Sequence, residues 1–199
     1  MNKVKHLFLV LLLVMAQLPL CATNIELSWS FNQGDAKALQ GTVSEEGLFS
    51  YATSSLGSDL EFLGANKAGS LTVTKVQPKV KASNNGDGNA ISFSLKTKKG
   101  LSLSVKSFSF DACKLGTNGG SIDVVAEAGG KSYELLKDES PQNAKNDPYF
   151  THYKADLSQI PATEGEWVIK VFVKNVAINK QYGFANFAIA ATTEGKVEQ

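Results

Sequence analysis

Apolar residues recur at every second position in run after run of this chain, with glycine-rich turns between the runs, a pattern that commits it to antiparallel strands buried on one face. Ile25, Leu27, Trp29 and Phe31 alternate with Glu26, Ser28 and Ser30. The same period of two returns at Ile91, Phe93 and Leu95, at Leu101, Leu103 and Val105, at Ile122, Val124 and Ala126, and at Trp167, Ile169, Val171 and Val173. Turn signals fall between them at Asn84-Asn85-Gly86-Asp87-Gly88, Lys99-Gly100, Asn118-Gly119-Gly120 and Gly129-Gly130. Between Val105 and Phe108 the apolar parity slips by one residue, which predicts a β-bulge inside one strand, letting Phe108 and Phe110 face inward.

No stretch of a dozen residues repeats apolar positions at helical spacing, although Asp35 to Leu39 has the makings of a short helical turn before Gly41. Asn32 to Gly69 reads as a loop arrangement over one end of the fold, with Gly47 to Tyr51 its best strand candidate. The expected fold class is all-β, an antiparallel β-sandwich, with the jelly roll as the preferred topology.

The chain opens with Lys3 and Lys5 ahead of an apolar run from Leu7 to Val14, and small Ala22 follows as a cleavage point, so residues 1–22 read as an export signal. Gln17 and Pro19 interrupt the run before it is long enough to cross a bilayer. The expected localisation is secreted, periplasmic or cell-surface. Lipidation at Cys21 is the alternative, and the only route to a membrane; a small residue is wanted before such a cysteine, and Leu20 stands there. Cleavage after Ala22 leaves Cys113 as the single cysteine and excludes an internal disulfide. One sandwich domain is expected over residues 23–191, with a polar tail at 192–199.

All 20 basic residues are lysines, two of them in the leader, against 19 acidic residues, so the exported chain is close to neutral. Nucleic acid is excluded as a partner on this balance. Without arginine the chain lacks the planar fork that recognises phosphate or carboxylate bidentately. A hydrophobic fraction of 43% fits a globular domain, expected to be a monomer.

Catalytic groupings are sparse. Asp59 with Glu61, and Glu164 with Glu166, share a side of their strands if extended, but such pairs read first as solvated charge. A thiolate at Cys113 activated by His152 is conceivable; following Phe108, Phe110 and Ala112, Cys113 reads better as a small buried hydrophobe. His152 is the only histidine after the leader, which excludes a multi-histidine metal site, and no cofactor is expected. Structural calcium stays open at Asn85, Asp87 and Asn89, helped by Asn84, although a plain hairpin turn fits that stretch equally well.

The loop Asn146-Asp147-Pro148-Tyr149-Phe150-Thr151-His152-Tyr153 clusters aromatics among amide, carboxylate and imidazole groups. Sugars are bound by that combination, because their C–H faces stack on rings while their hydroxyls pair with polar groups. Asn146, Asp147, Tyr149, His152 and Tyr153 are the candidate ligand-binding residues, with Tyr149, beside Pro148, expected to be exposed. Alternate members of this run fall on opposite faces of a strand, so part of the cluster is equally readable as core. Trp29 and Trp167, in the apolar phase of clear strands, read as core.

Three further stretches stand together: Lys114-Leu115-Gly116-Thr117-Asn118-Gly119-Gly120-Ser121-Ile122-Asp123, Pro141-Gln142-Asn143, and Asn179-Lys180-Gln181-Tyr182-Gly183-Phe184-Ala185-Asn186-Phe187-Ala188-Ile189. They resemble a jelly-roll module of secreted Bacteroidetes proteins, similar to galactose-binding-type carbohydrate-binding domains that accompany polysaccharide-degrading enzymes. Lys114 and Gln142 stand where that group often carries arginine. The resemblance implies a non-catalytic module whose partner is a polysaccharide or other glycan. A structural or protein-interaction sandwich without a sugar site is the alternative. A small secreted lyase or glycosidase comes third; it would need two carboxylates, or a tyrosine and a lysine, converging in one groove.

Overall fold

A computed structural model of the chain describes residues 22–31, 39–117 and 119–198. The leader, the Cys21 alternative and the helical turn expected at Asp35 fall outside these residues.

The described residues form twelve strands in two antiparallel sheets: β1 (Thr23–Phe31), β2 (Leu39–Val43), β3 (Phe49–Leu56), β4 (Leu60–Ala68), β5 (Leu71–Pro78), β6 (Ala90–Thr97), β7 (Leu101–Lys114), β8 (Ser121–Ala128), β9 (Lys131–Glu139), β10 (Thr151–Asp156), β11 (Glu166–Lys174) and β12 (Tyr182–Gly195). The first sheet runs β10-β7-β12-β1-β2, and the second β3-β6-β11-β8-β9. The long strand β12 is shared along its free side, where β5 pairs with Tyr182–Phe184 and β1 with Phe187–Thr193, and β4 continues outward from β5. From β5 onward the chain passes between the sheets at each connection except the β8–β9 hairpin, which is the jelly-roll path.

The predicted bulge is present. Val105 pairs with Ala191 and Ser107 with Ala190, leaving Lys106 as the extra residue, so Leu103, Val105, Phe108 and Phe110 all reach the core. A second bulge lies in β12, where Asn186 and Phe187 together oppose Phe110; Asn186 takes the left-handed conformation at φ 53°, so Phe184 and Phe187 both point inward. The rings of Trp29, Phe93, Phe108, Phe110, Tyr153, Tyr182, Phe184 and Phe187 form a chain of contacts through the interior. Trp29 and Trp167 are buried as expected, and the Trp167 indole donates to the Leu103 carbonyl at 3.1 Å.

Two expectations need correction. The stretch read as loop contains β2, β3 and β4. Its alternation is interrupted in β4, where Leu63 and Gly64 oppose the single residue Lys75 and Gly64 adopts φ 79°, a conformation that costs glycine little. The polar tail also starts later than residue 192: β12 continues to Gly195, and Thr193 is buried by pairing with β1 and β7.

Candidate functional site

All three stretches that carry the resemblance meet at one end of the sandwich. As β7 ends, the Lys114 amide donates to the Gln142 carbonyl at 2.7 Å and the Ala144 amide donates to the Lys114 carbonyl at 2.9 Å, zipping the loop after β7 to the loop after β9. The Leu115 amide then donates to the Gln181 carbonyl at 3.0 Å, tying in the segment that leads into β12. Gly116, at φ 126°, makes a turn that a side chain would strain. Asn143 locks the pair of loops: its amide nitrogen donates to the Gly116 carbonyl at 2.9 Å, and its amide oxygen accepts the Lys145 N–H at 3.0 Å.

Between these loops opens a cleft of about 660 Å³, lined by Lys114, Thr117, Ser140, Gln142, Asn143 and Asn146 among others. Lys114 Nζ donates to Ser140 Oγ at 2.9 Å on one wall. Thr117, Gln142 and Asn146 are exposed, and among the described residues the side chains of Gln142 and Asn146 have no hydrogen-bond partner. The described residues that line the cleft therefore present amide, hydroxyl and ammonium groups to a ligand, which suits hydroxyl recognition.

The aromatic loop divides as strand parity requires. Asn146 lines the cleft, Asp147 is exposed beside it, and Tyr149 is 40% exposed with one edge of its ring against Gly69 at the turn between β4 and β5. A Cβ at Gly69 would lie 2.5 Å from Tyr149 Cδ2, so the missing side chain there is what allows the ring to settle. Phe150 packs against a small second core of Ala68, Val73, Cys113 and Ala185.

From β10 onward the faces alternate. His152 points outward, its Nδ1 2.8 Å from Asp111 Oδ1 on β7. Tyr153 points inward and corrects the sequence reading: it is 6% exposed, stacked on Phe110 at 5.2 Å, and no ligand can reach its ring. Burial pushes its phenol up to about 12.

The catalytic groupings dissolve in the structure. Cys113 is buried, burial pushes its thiol up to about 11 despite a hydrogen bond from the Gly183 amide, and its expected base His152 is turned onto Asp111. Glu61 accepts from Gln77 Nε2 at 3.2 Å while Asp59 sits against Gly88. Glu164 and Glu166 are both exposed.

The three calcium candidates go to three different partners. Asn85 donates to the Asp123 carboxylate, and Asp87 pairs with Lys170 Nζ at 3.0 Å. Asn89 is buried, accepts the Gly86 amide at 2.9 Å and donates to the Val173 carbonyl at 2.9 Å, so its role is to fasten the loop before β6 onto β11. Among the described residues, no group of three or more histidine, cysteine, aspartate or glutamate side chains is placed to hold a metal ion.

Sequence reasoning missed Lys114, Thr117, Ser140 and Gln142 as cleft residues; the signal was present in their glycine- and proline-marked loops, but which loops meet is a tertiary fact. It also missed Asp111, a lone carboxylate in an otherwise serine and phenylalanine alternation.

No family model matches the sequence, and no characterised protein sequence matches it. Similar solved structures include a carbohydrate-binding module, TmCBM61, in complex with β-1,4-galactotriose (14% identity, TM-score 0.41, covering 73% of this chain and 91% of that one). Another is the CBM22-1 xylan-binding domain of Paenibacillus barcinonensis Xyn10C (10% identity, TM-score 0.45, covering 86% and 94%). A third is a family two carbohydrate esterase from Cellvibrio japonicus (9% identity, TM-score 0.31, covering 75% of this chain and 36% of that one).

Proposed function

We propose that this protein is a non-catalytic glycan-binding domain that acts outside the cytoplasm and holds its ligand in the cleft between the loops after β7 and β9. The observation that carries the reading is the composition of that cleft: free amides of Gln142 and Asn146, the hydroxyls of Thr117 and Ser140, and the Lys114 ammonium, with no carboxylate among the described residues that line it. A sugar presents hydroxyls that both donate and accept, and side-chain amides answer both needs. Tyr149, three positions beyond Asn146 in the same loop, supplies the exposed ring. The leader, with Lys3 and Lys5 before its apolar run, supports export.

Affinity electrophoresis through gels containing soluble plant and host polysaccharides tests this. Wild-type protein is expected to be retarded by at least one of them. Tyr149→Ala and Asn146→Ala are each expected to weaken binding by roughly tenfold, the loss of one well-placed contact worth about 1.4 kcal/mol, and Asn146→Ala, at an exposed position, is expected to leave stability within about 0.5 kcal/mol. If no polysaccharide retards the wild type, the sugar reading falls and the protein-interaction alternative takes its place.

A further inference from the structure

Away from the cleft, the outer face of the first sheet carries a buried carboxylate, Asp111. Asp111 has a side chain only 8% exposed and no cationic lysine against it among the described residues. It is held instead by Asn186 Nδ2 on one oxygen at 2.7 Å and by His152 Nδ1 on the other at 2.8 Å. An ionised carboxylate out of water is costly unless its oxygens accept hydrogen bonds, and a serine like its neighbours Ser107 and Ser109 would sit there more cheaply. Asn186 reaches it from the left-handed conformation at the β12 bulge.

What this arrangement accomplishes is to fix His152. The carboxylate accepts from Nδ1, which leaves Nε2 turned toward solvent on a side chain that is 58% exposed. His152 lines a groove of about 360 Å³ that crosses β10, β7, β12 and β1, with Lys154 beside it, the hydroxyls of Ser107, Ser109 and Ser28 along it, and Glu26 at the far side. Neither Lys154 nor Glu26 has a salt bridge among the described residues. Three strand spacings separate the two walls, roughly 14 Å. The groove thus offers an imidazole nitrogen and an ammonium at its His152–Lys154 wall, a carboxylate at its Glu26 wall, and hydroxyls able to donate or accept in between.

We propose that this groove is a second glycan-binding surface, in which His152 Nε2 and Lys154 Nζ hold hydroxyls of a neutral oligosaccharide and Asp111 acts as a positioning residue for the imidazole. It rests on the reading of the protein as a glycan binder, and it makes that binder bivalent. Two sites on one rigid domain raise retention on a polymer through effective concentration, by about 10²-fold over either site alone.

The test is a titration of the full chain with xylotetraose and mannotetraose, followed by calorimetry and by the imidazole nitrogen signals of His152. The chain holds only two histidines, His6 and His152, so His152→Gln assigns the signals directly. Two oligosaccharides are expected to bind per chain, the His152 signals are expected to shift even in a Tyr149→Ala/Asn146→Ala background, and His152→Gln is expected to leave one. Asp111→Asn is expected to keep the fold and change the His152 tautomer signature while weakening only the second site. A stoichiometry of one with unmoved His152 signals overturns the second surface and leaves the cleft standing. Binding that is lost entirely with His152→Gln and untouched by the cleft substitutions also overturns bivalency. Absence of any binding to either probe or to the polysaccharide gels removes the glycan reading itself.

Discussion

Lys174→Ala is expected to destabilise the protein by roughly 3–5 kcal/mol, the cost of stripping one partner from a buried ion pair. Lys174 Nζ lies 2.7 Å from Asp123 Oδ2, with side-chain exposures of 9% and 4%. Further bonds support the pair: Lys174 also reaches Asp138 Oδ1 at 2.8 Å, the Asp138 amide donates to Asp123 Oδ1 at 2.7 Å, and Asn85 donates to Asp123. Once the lysine is gone, Asp123 is left desolvated with dipoles alone. Urea unfolding measures the loss, and the paired change Lys174→Met with Asp123→Leu is expected to cost less than Lys174→Ala, because no orphaned charge remains.

The same pair sets a pH dependence. Burial pushes the Asp123 carboxyl up, but the bonds from Lys174, the Asp138 amide and Asn85 outweigh it and hold the group below its usual range. Burial would likewise lower Lys174, yet Asp123 and Asp138 raise it above its ordinary value. The aspartate contribution is therefore complete above the unfolded value of about 3.9 and is lost as pH falls through the lower folded value. The lysine contribution is complete below about 10.4 and is lost as pH rises through the higher folded value. The stability gap between wild type and Lys174→Ala is expected to be widest near neutrality and to narrow below about pH 4, where protonating Asp123 relieves the variant.

Phe93→Ala is expected to cost about 3–5 kcal/mol for a different reason. Phe93 is fully buried and comes from β6 in the second sheet, while the rings it touches come from the first: Trp29 at 4.8 Å, Phe187 at 4.9 Å and Phe108 at 5.5 Å between centroids. Its removal opens a cavity where the sheets dock and breaks tilted aromatic contacts worth about 0.5–1.5 kcal/mol each beyond their area. At about 2–4 °C per kcal/mol for a domain of this size, the melting temperature is expected to fall by roughly 6–20 °C. Phe93→Leu, which keeps most of the volume, is expected to lose less than half as much; equal losses would mean that the site collapses around either side chain.

The contrast between Phe93 and Tyr149 marks what the sequence could and could not tell. Phe93 sits in an uninterrupted alternation, and its place in the core was legible from period two alone. So was the bulge at Lys106, because an inserted residue leaves a visible slip of parity between Val105 and Phe108. Where such slips combine with a left-handed residue and weak alternation, as with the one slip around Gly64 in β4 and the two near Asp138 in β9, the strand could not be seen. In the aromatic loop, parity correctly opposed His152 to Tyr153 but could not say which faced water; that is decided by the pairing of Tyr153 with the inward Phe110 on β7.

The site itself was half legible. Glycine and proline announced the loops at Gly116 and Pro141, and the resemblance grouped them. Their meeting depends on a parallel bridge between Lys114 and Asn143, twenty-nine positions apart, and on the Asn143 side chain that locks it. No local pattern encodes such a contact. Asp111 and Asn186 are joined only because a bulge in β12 shifts the register between the two strands that carry them, which is invisible to any reading of one strand at a time.

The central claim, that glycan is held between the loops after β7 and β9, is tested most directly by backbone amide shift mapping with a polysaccharide fragment that retards the protein in the gel. The account predicts that the amides of 114–119 and 140–149 move together at the first additions of ligand, and that Asn146→Ala suppresses the movement there. Saturable binding that leaves those two loops unperturbed would contradict it.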